Sequence, residues 1–213
     1  MKGKLLTFSL VLAIISVVGI VSTVLAGEPK PKPKKAGKDL VIYSQQRSVI
    51  PYLKCNLPSS EQFVKVDKTG IHWKWKNKSN DWCWWGIQDL PTNDIKPYLE
   101  NGYLVIEFKG EYMGRSPEVS FIDKSNDKTS MVKFEGNFTE GEDTTAKGAT
   151  VKIPLKKFFG EEEEFRPAEP SEIFELKFDA EYNSVRGELS ISYIAIITDI
   201  AITTDGKKEE KKD

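Results

Sequence analysis

Tyr103-Leu104-Val105-Ile106-Glu107-Phe108-Lys109, closed by Gly110, is the stretch that decides the fold. Leu104, Ile106 and Phe108 alternate with Tyr103, Val105, Glu107 and Lys109, and a period of two belongs to a half-buried strand rather than a helix. The pattern recurs on both sides. Val119 and Phe121 follow it, and Phe174, Leu176 and Phe178 alternate with Glu175 and Lys177. Further strands are expected at 40–43, 63–66, 71–76, 131–134, 150–153 and 188–196, about nine in all. Asp67-Lys68-Thr69-Gly70 reads as a hairpin turn, and Asn101-Gly102 precedes a strand start. Residues 80–94 read as an irregular loop holding a short buried piece at Trp85-Gly86-Ile87. Many short strands with turn residues between them imply an all-β chain folded as an antiparallel β-sandwich.

The ends frame one domain at 39–204. Lys2 and Lys4 precede an uncharged run from Leu5 that closes on Val24-Leu25-Ala26, so 1–26 is expected to be a secretory signal peptide. The run is also about long enough to span a bilayer, which leaves an uncleaved membrane anchor as the alternative. Either way the body is expected outside the cytoplasm: secreted, periplasmic or on the cell surface. Residues 27–38 form a Lys/Pro-rich linker around Glu28-Pro29-Lys30-Pro31-Lys32-Pro33, and 205–213 is a charged tail.

Lys and Arg number 31 against 32 Asp and Glu, a balance that argues against nucleic acid or another polyanion as partner. A single histidine makes a zinc site implausible, and no cofactor is implied. Structural calcium has one candidate, the run Glu161 to Glu164, although four consecutive acids do not match the alternating spacing of a calcium loop. Cys55 and Cys83 are two cysteines in a chain read as exported, where they form either a disulfide, stabilising by about 3 kcal/mol, or two separately buried thiols. Asn77-Lys78-Ser79 and Asn137-Phe138-Thr139 fit the N-glycosylation pattern.

All five tryptophans lie between residues 73 and 85. Flat amphipathic rings of this kind can stack on the C–H face of a sugar. Trp82 and Trp84 flank the polar segment 77–81 and are the first candidates. Trp73 and Trp75 share one strand face with Ile71, a face that serves either the core or a ligand, while Trp85 reads as core. Tyr112 and Arg115 fall in an expected loop with Gly114 and Pro117, and Arg115 or Asp123 could bond hydroxyl groups. His72, between two lysines on the other strand face, is assigned no role. No nucleophile elbow, metal-ligand histidine pair or phosphate loop occurs. Hydrolysis of glycosides needs two facing carboxylates, and Glu107, Asp123, Glu135 and Asp179 are too many to select a pair.

Several segments in this order resemble non-catalytic carbohydrate-binding modules of the galactose-binding-like, jelly-roll type, commonly appended to bacterial cellulases. They are Trp85-Gly86-Ile87; Tyr98-Leu99 leading into 104–110; Val119-Ser120-Phe121-Ile122-Asp123; Val151-Lys152-Ile153-Pro154-Leu155 through Phe158; and the closing strand 187–196. Where that family carries an acidic pair in the closing strand, this chain has Ser192 and Tyr193, so no calcium or ligand role carries over there. The resemblance implies a non-enzymatic polysaccharide-binding protein, β-glucan-like in preference, acting alone or with a cell-surface or polysaccharide-degrading enzyme partner. An envelope protein that uses the sandwich for protein contacts, and a small glycoside hydrolase, are the alternatives.

Overall fold

The computed structural model describes residues 39–45, 52–56, 61–78, 81–88, 90–139, 148–160, 168–181 and 183–198. The expected leader, linker, charged tail and acidic run at 161–164 lie outside them. Eleven strands are described: β1 (Leu40–Ser44), β2 (Tyr52–Asn56), β3 (Glu61–Asp67), β4 (Gly70–Lys76), β5 (Cys83–Gln88), β6 (Gly102–Gly114), β7 (Glu118–Asp123), β8 (Val132–Lys133), β9 (Ala149–Pro154), β10 (Ile173–Ala180) and β11 (Ser184–Thr198). They form two sheets of antiparallel strands. Sheet I runs β3-β4-β11-β6-β9, with β1 also paired to β11, and sheet II runs β2-β5-β10-β7-β8. The chain is an antiparallel β-sandwich, as its alternation requires.

The inner faces follow from the register. In sheet I, Ile71 lies opposite Val66 and Ile191, and Trp73 opposite Val64 and Leu189. In sheet II, Ile87 lies opposite Leu176, and Trp85 opposite Phe178. The sheets meet through aromatic rings. Trp73 contacts Trp85 edge-on at 5.8 Å and lies 4.3 Å from Trp75, while Trp85 stacks on Phe178 at 4.3 Å with the planes 5° apart. Burying one such ring removes about 150–250 Å² from water, roughly 4–6 kcal/mol of transfer free energy before entropy is counted.

Three sequence expectations are corrected. Residues 83–88 form a full strand between β2 and β10, not a piece of loop. β6 does not stop at Gly110 but continues to Gly114, so Tyr112 is a strand residue opposite Gly187, half-buried against the core. Gly110 makes this possible: its φ is +127°, and a Cβ there would stand 2.0 Å from the Glu188 carbonyl oxygen. Cys83 is a free, buried thiol. The register explains why the disulfide with Cys55 is missing, because Cys55 pairs with Trp85 and so sits diagonal to Cys83 across β2 and β5. Diagonal Cα atoms are about 7–8 Å apart, beyond disulfide reach.

Candidate functional site

Trp73 and Trp75 are 0% and 2% exposed, sealed between the sheets, and are withdrawn as ligand contacts for that reason. Trp75 Nε1 is occupied inside, donating to Ser184 Oγ at 3.2 Å. Trp85 faces the core with them. The two other tryptophans lie outside: Trp82 is 51% exposed just before β5, and Trp84 is half-buried on the outer face of sheet II.

Asp123 is also corrected. Its Oδ1 accepts from the backbone N–H of Ser125 and Asp127 and its Oδ2 from that of Glu169, so both oxygens tie loops together. Tyr112 lines a groove on sheet I. His72, assigned no role from the sequence, has three neighbours: Nδ1 lies 2.9 Å from Ser190 Oγ, and Nε2 lies 2.9 Å from Thr69 Oγ1 and 3.1 Å from Asp67 Oδ1. These contacts clamp the β3–β4 turn to β11. Asn77 is fully committed as well, with Nδ2 donating to the carbonyls of Ala180, Glu181 and Ser184 and Oδ1 accepting from Cys83. It acts as a structural pin and cannot serve as a sugar acceptor without breaking those bonds.

Sheet II's outer face holds what the sequence did not single out. Register places Trp84, Asp179, Glu118 and Lys133 in one cross-strand row, and Gly86, Lys177 and Ser120 in the next. Outer faces of sandwiches ordinarily carry solvated polar residues. Here Glu118, Ser120 and Asp179 are 2%, 0% and 4% exposed. Each keeps a buried oxygen with no hydrogen-bond partner among the described residues: Glu118 Oε2, Ser120 Oγ and Asp179 Oδ2. Buried acceptors are normally paired, and leaving one unpaired costs about 1–3 kcal/mol.

The other oxygens of the two acids are fixed. Arg115 Nη2 donates to Glu118 Oε1 at 2.9 Å while its Nη1 meets Glu181 at 2.8 Å, and Lys177 Nζ donates to Asp179 Oδ1 at 2.7 Å. Lys177 Nζ also lies 5.0 Å from the centre of the Trp84 ring. Burial, and after it the charge of Glu181, hold the Glu118 carboxyl above its ordinary pKa, with Arg115 pulling the other way. Gly86 leaves the space filled by the Glu175 carboxylate, since a Cβ there would stand 2.4 Å from Glu175 Oε1, and Gln88 Nε2 donates to Glu175 Oε2 at 2.6 Å. The result is an aromatic platform beside rigidly held acceptors, a cation and an amide. Arg115, expected from sequence to bond hydroxyl groups, pairs with Glu118 and Glu181 and keeps its buried Nε without a hydrogen-bond partner among the described residues. Among the described residues no three His, Cys, Asp or Glu side chains gather to hold a metal ion.

A family model described as carbohydrate binding domain 30 matches residues 39–204. The chain belongs to that family. It is a carbohydrate-binding module, and the match fits a binding role. Among solved structures, a family 30 carbohydrate-binding module is similar at TM-score 0.51 and 20% identity, over 83% of this chain and 91% of that one. A family 11 module from Clostridium thermocellum, in complex with a β-1,3-1,4-mixed-linked tetrasaccharide, is similar at TM-score 0.52 and 10% identity, over 75% and 95%. A β-1,2-glucanase from Parabacteroides distasonis contains a similar region at TM-score 0.56 and 11% identity, over 76% of this chain and 25% of that one. At these identities the likenesses establish the sandwich fold alone. No curated protein matches the chain.

Proposed function

We propose that this module is an exported protein that binds a β-glucan-like polysaccharide on the outer face of sheet II, by stacking on Trp84 and by hydrogen bonds to the row beside it. The observation that carries the site is the set of three buried, unpartnered acceptors next to a half-buried indole. Sugar hydroxyls are donors and would satisfy Glu118 Oε2, Ser120 Oγ and Asp179 Oδ2, while a pyranose C–H face lies on the ring. Trp82, exposed immediately before the same strand, extends the aromatic surface toward the chain end of the site. Export rests on the charged and apolar leader, Lys2, Lys4 and the run from Leu5 to Ala26.

Affinity electrophoresis tests the site. The 39–204 domain is run through gels containing mixed-linkage glucan, hydroxyethyl cellulose, xyloglucan, xylan or mannan, beside Trp84→Ala and Asp179→Ala. Retardation by a β-glucan that both substitutions remove, with circular dichroism unchanged, is the expected result. Retardation that neither substitution alters would overturn the assignment of this face.

One observation favours a second reading. Glu118 and Asp179 lie directly opposite each other across β7 and β10, which sets two carboxylates side by side on one face, the residue types glycoside hydrolysis needs. Reducing-sugar release from the retarding polymer, lost in Glu118→Gln, would make the chain a hydrolase. Release no faster than in buffer would leave it a binding module.

A further inference from the structure

The opposite face of the sandwich carries a groove of about 900 Å³ across β3, β4, β11 and β6, within the size range of ligand sites. Phe63 stands at one side and Met113 at the other, 54% and 52% exposed. Four strands at about 4.8 Å spacing make the floor roughly 14 Å wide, the length of a few linked sugar rings.

The floor mixes charges of both signs. Register sets Lys76 between Glu61 and Arg186 and, one row along, Glu188 between Lys74 and Glu111, so each row holds one like-charged pair, Lys76–Arg186 and Glu188–Glu111. Like charges directly opposite on a sheet are destabilising. Only one member of these pairs has an ion-pair partner among the described residues, Glu188 with Lys74 at 2.8 Å, and that exposed pair contributes about 0–1 kcal/mol. An anion would suit the Lys76–Arg186 pair and be repelled by the acids two residues away, and a cation would meet the reverse. An uncharged polyhydroxyl chain satisfies both rows, accepting from the bases and donating to the acids, and Phe63 offers its sugar rings a stacking face. Lys74, Lys76 and Arg186 balance Glu61, Glu111 and Glu188, so the lining selects for no net charge.

We propose that this groove is a second glycan site, taking a neutral polysaccharide segment independently of sheet II. The ligand class rests on the reading of sheet II as a glycan-binding face. With sites on opposite faces, one module would bridge two chains, and bivalency would raise its retention on polymer well above that of either site alone.

Isothermal titration of the full chain with cellohexaose and with a mixed-linkage β-1,3-1,4-hexasaccharide separates the possibilities. The expected result is two sites in the wild type, one in Phe63→Ala, one in Trp84→Ala and none in the double variant. Glu111→Gln should weaken the groove site at least fivefold without lowering Tm, since it also relieves the repulsion with Glu188. A single site in the wild type that Trp84→Ala removes and Phe63→Ala spares overturns the groove and leaves sheet II standing. A single site with the opposite response overturns the two-site proposal and the reading of sheet II together. Absence of heat with either sugar overturns both. If Phe63→Ala leaves the stoichiometry intact but changes the sedimentation coefficient, the groove is a self-association surface and the proposal fails.

Discussion

Trp84 and Trp85 are adjacent on β5 and face opposite sides of sheet II, so truncating each should separate recognition from stability. Trp85 is 0% exposed, stacked on Phe178 at 4.3 Å and edge-on to Trp73 at 5.8 Å. Large aromatic-to-alanine changes in cores cost about 3–5 kcal/mol, a large part of the roughly 5–15 kcal/mol that holds a domain together. For a domain of this size each 1 kcal/mol moves Tm by about 2–4 °C, so Trp85→Ala should lower Tm by about 6–20 °C or prevent folding. Trp84 loses only its half-buried surface and the Lys177 contact at 5.0 Å, which stabilises by about 0.5–1 kcal/mol. Half of a buried ring's area adds roughly 2–3 kcal/mol, so its Tm should fall by about 5–16 °C, less than that of Trp85→Ala. Loss of a central tryptophan from a binding face typically costs at least about 2 kcal/mol, roughly 30-fold in Kd. Thermal unfolding followed by circular dichroism, with calorimetric titration of a mixed-linkage glucan oligosaccharide, reads both quantities. A Trp85→Ala protein with wild-type Tm, or a Trp84→Ala protein binding within threefold of wild type, would refute the assignment of the two faces.

Gly187→Ala should destabilise by about 1–3 kcal/mol in urea unfolding, because an added Cβ would stand 2.1 Å from the Trp75 ring and overpack the core. Cys83 should resist Ellman's reagent in a Cys55→Ser background until denaturant is added, since burial pushes its thiol up to about 11 and the thiolate is the reactive form. The Glu118 pKa is raised in the fold, so its contribution is fully present below the ordinary value of 4.5 and is lost as pH rises through the folded value. Glu118→Gln removes that loss and should gain stability relative to wild type between pH 4 and pH 7, measured by urea titration at both ends.

Alternation made most strands legible because most have one wet and one dry face. β5 was missed because Cys83-Trp84-Trp85-Gly86-Ile87 is apolar on consecutive residues, which hides the period, and its outward position holds a half-buried tryptophan where a polar residue would mark the wet face. In β10 the period slips at a bulge between Ile173 and Glu175, so Ile173 takes the buried place that the sequence pattern gave to Phe174. Trp84 could be found from residue type. Glu118, Ser120 and Asp179 could not, since in sequence a polar residue on an alternate strand position looks the same whether water or neighbouring groups surround it. The tryptophan cluster itself was ambiguous for a physical reason: the property that makes indole a good sugar platform, a large flat apolar area, also makes it a good inter-sheet spacer.

β11 has a consequence for how the chain is made. Its Arg186–Ile191 half pairs with β4, its Tyr193–Ile196 half pairs with β1, and β6 runs along it from Ser184 to Thr198. The last of the described strands is therefore the one that joins β1 and the β3–β4 pair to the β6–β9 pair, and until it leaves the ribosome these pieces of sheet I are three unconnected fragments. Such distant pairings fold slowly. Until β11 has emerged, a growing chain has no finished sheet I to protect its open strand edges.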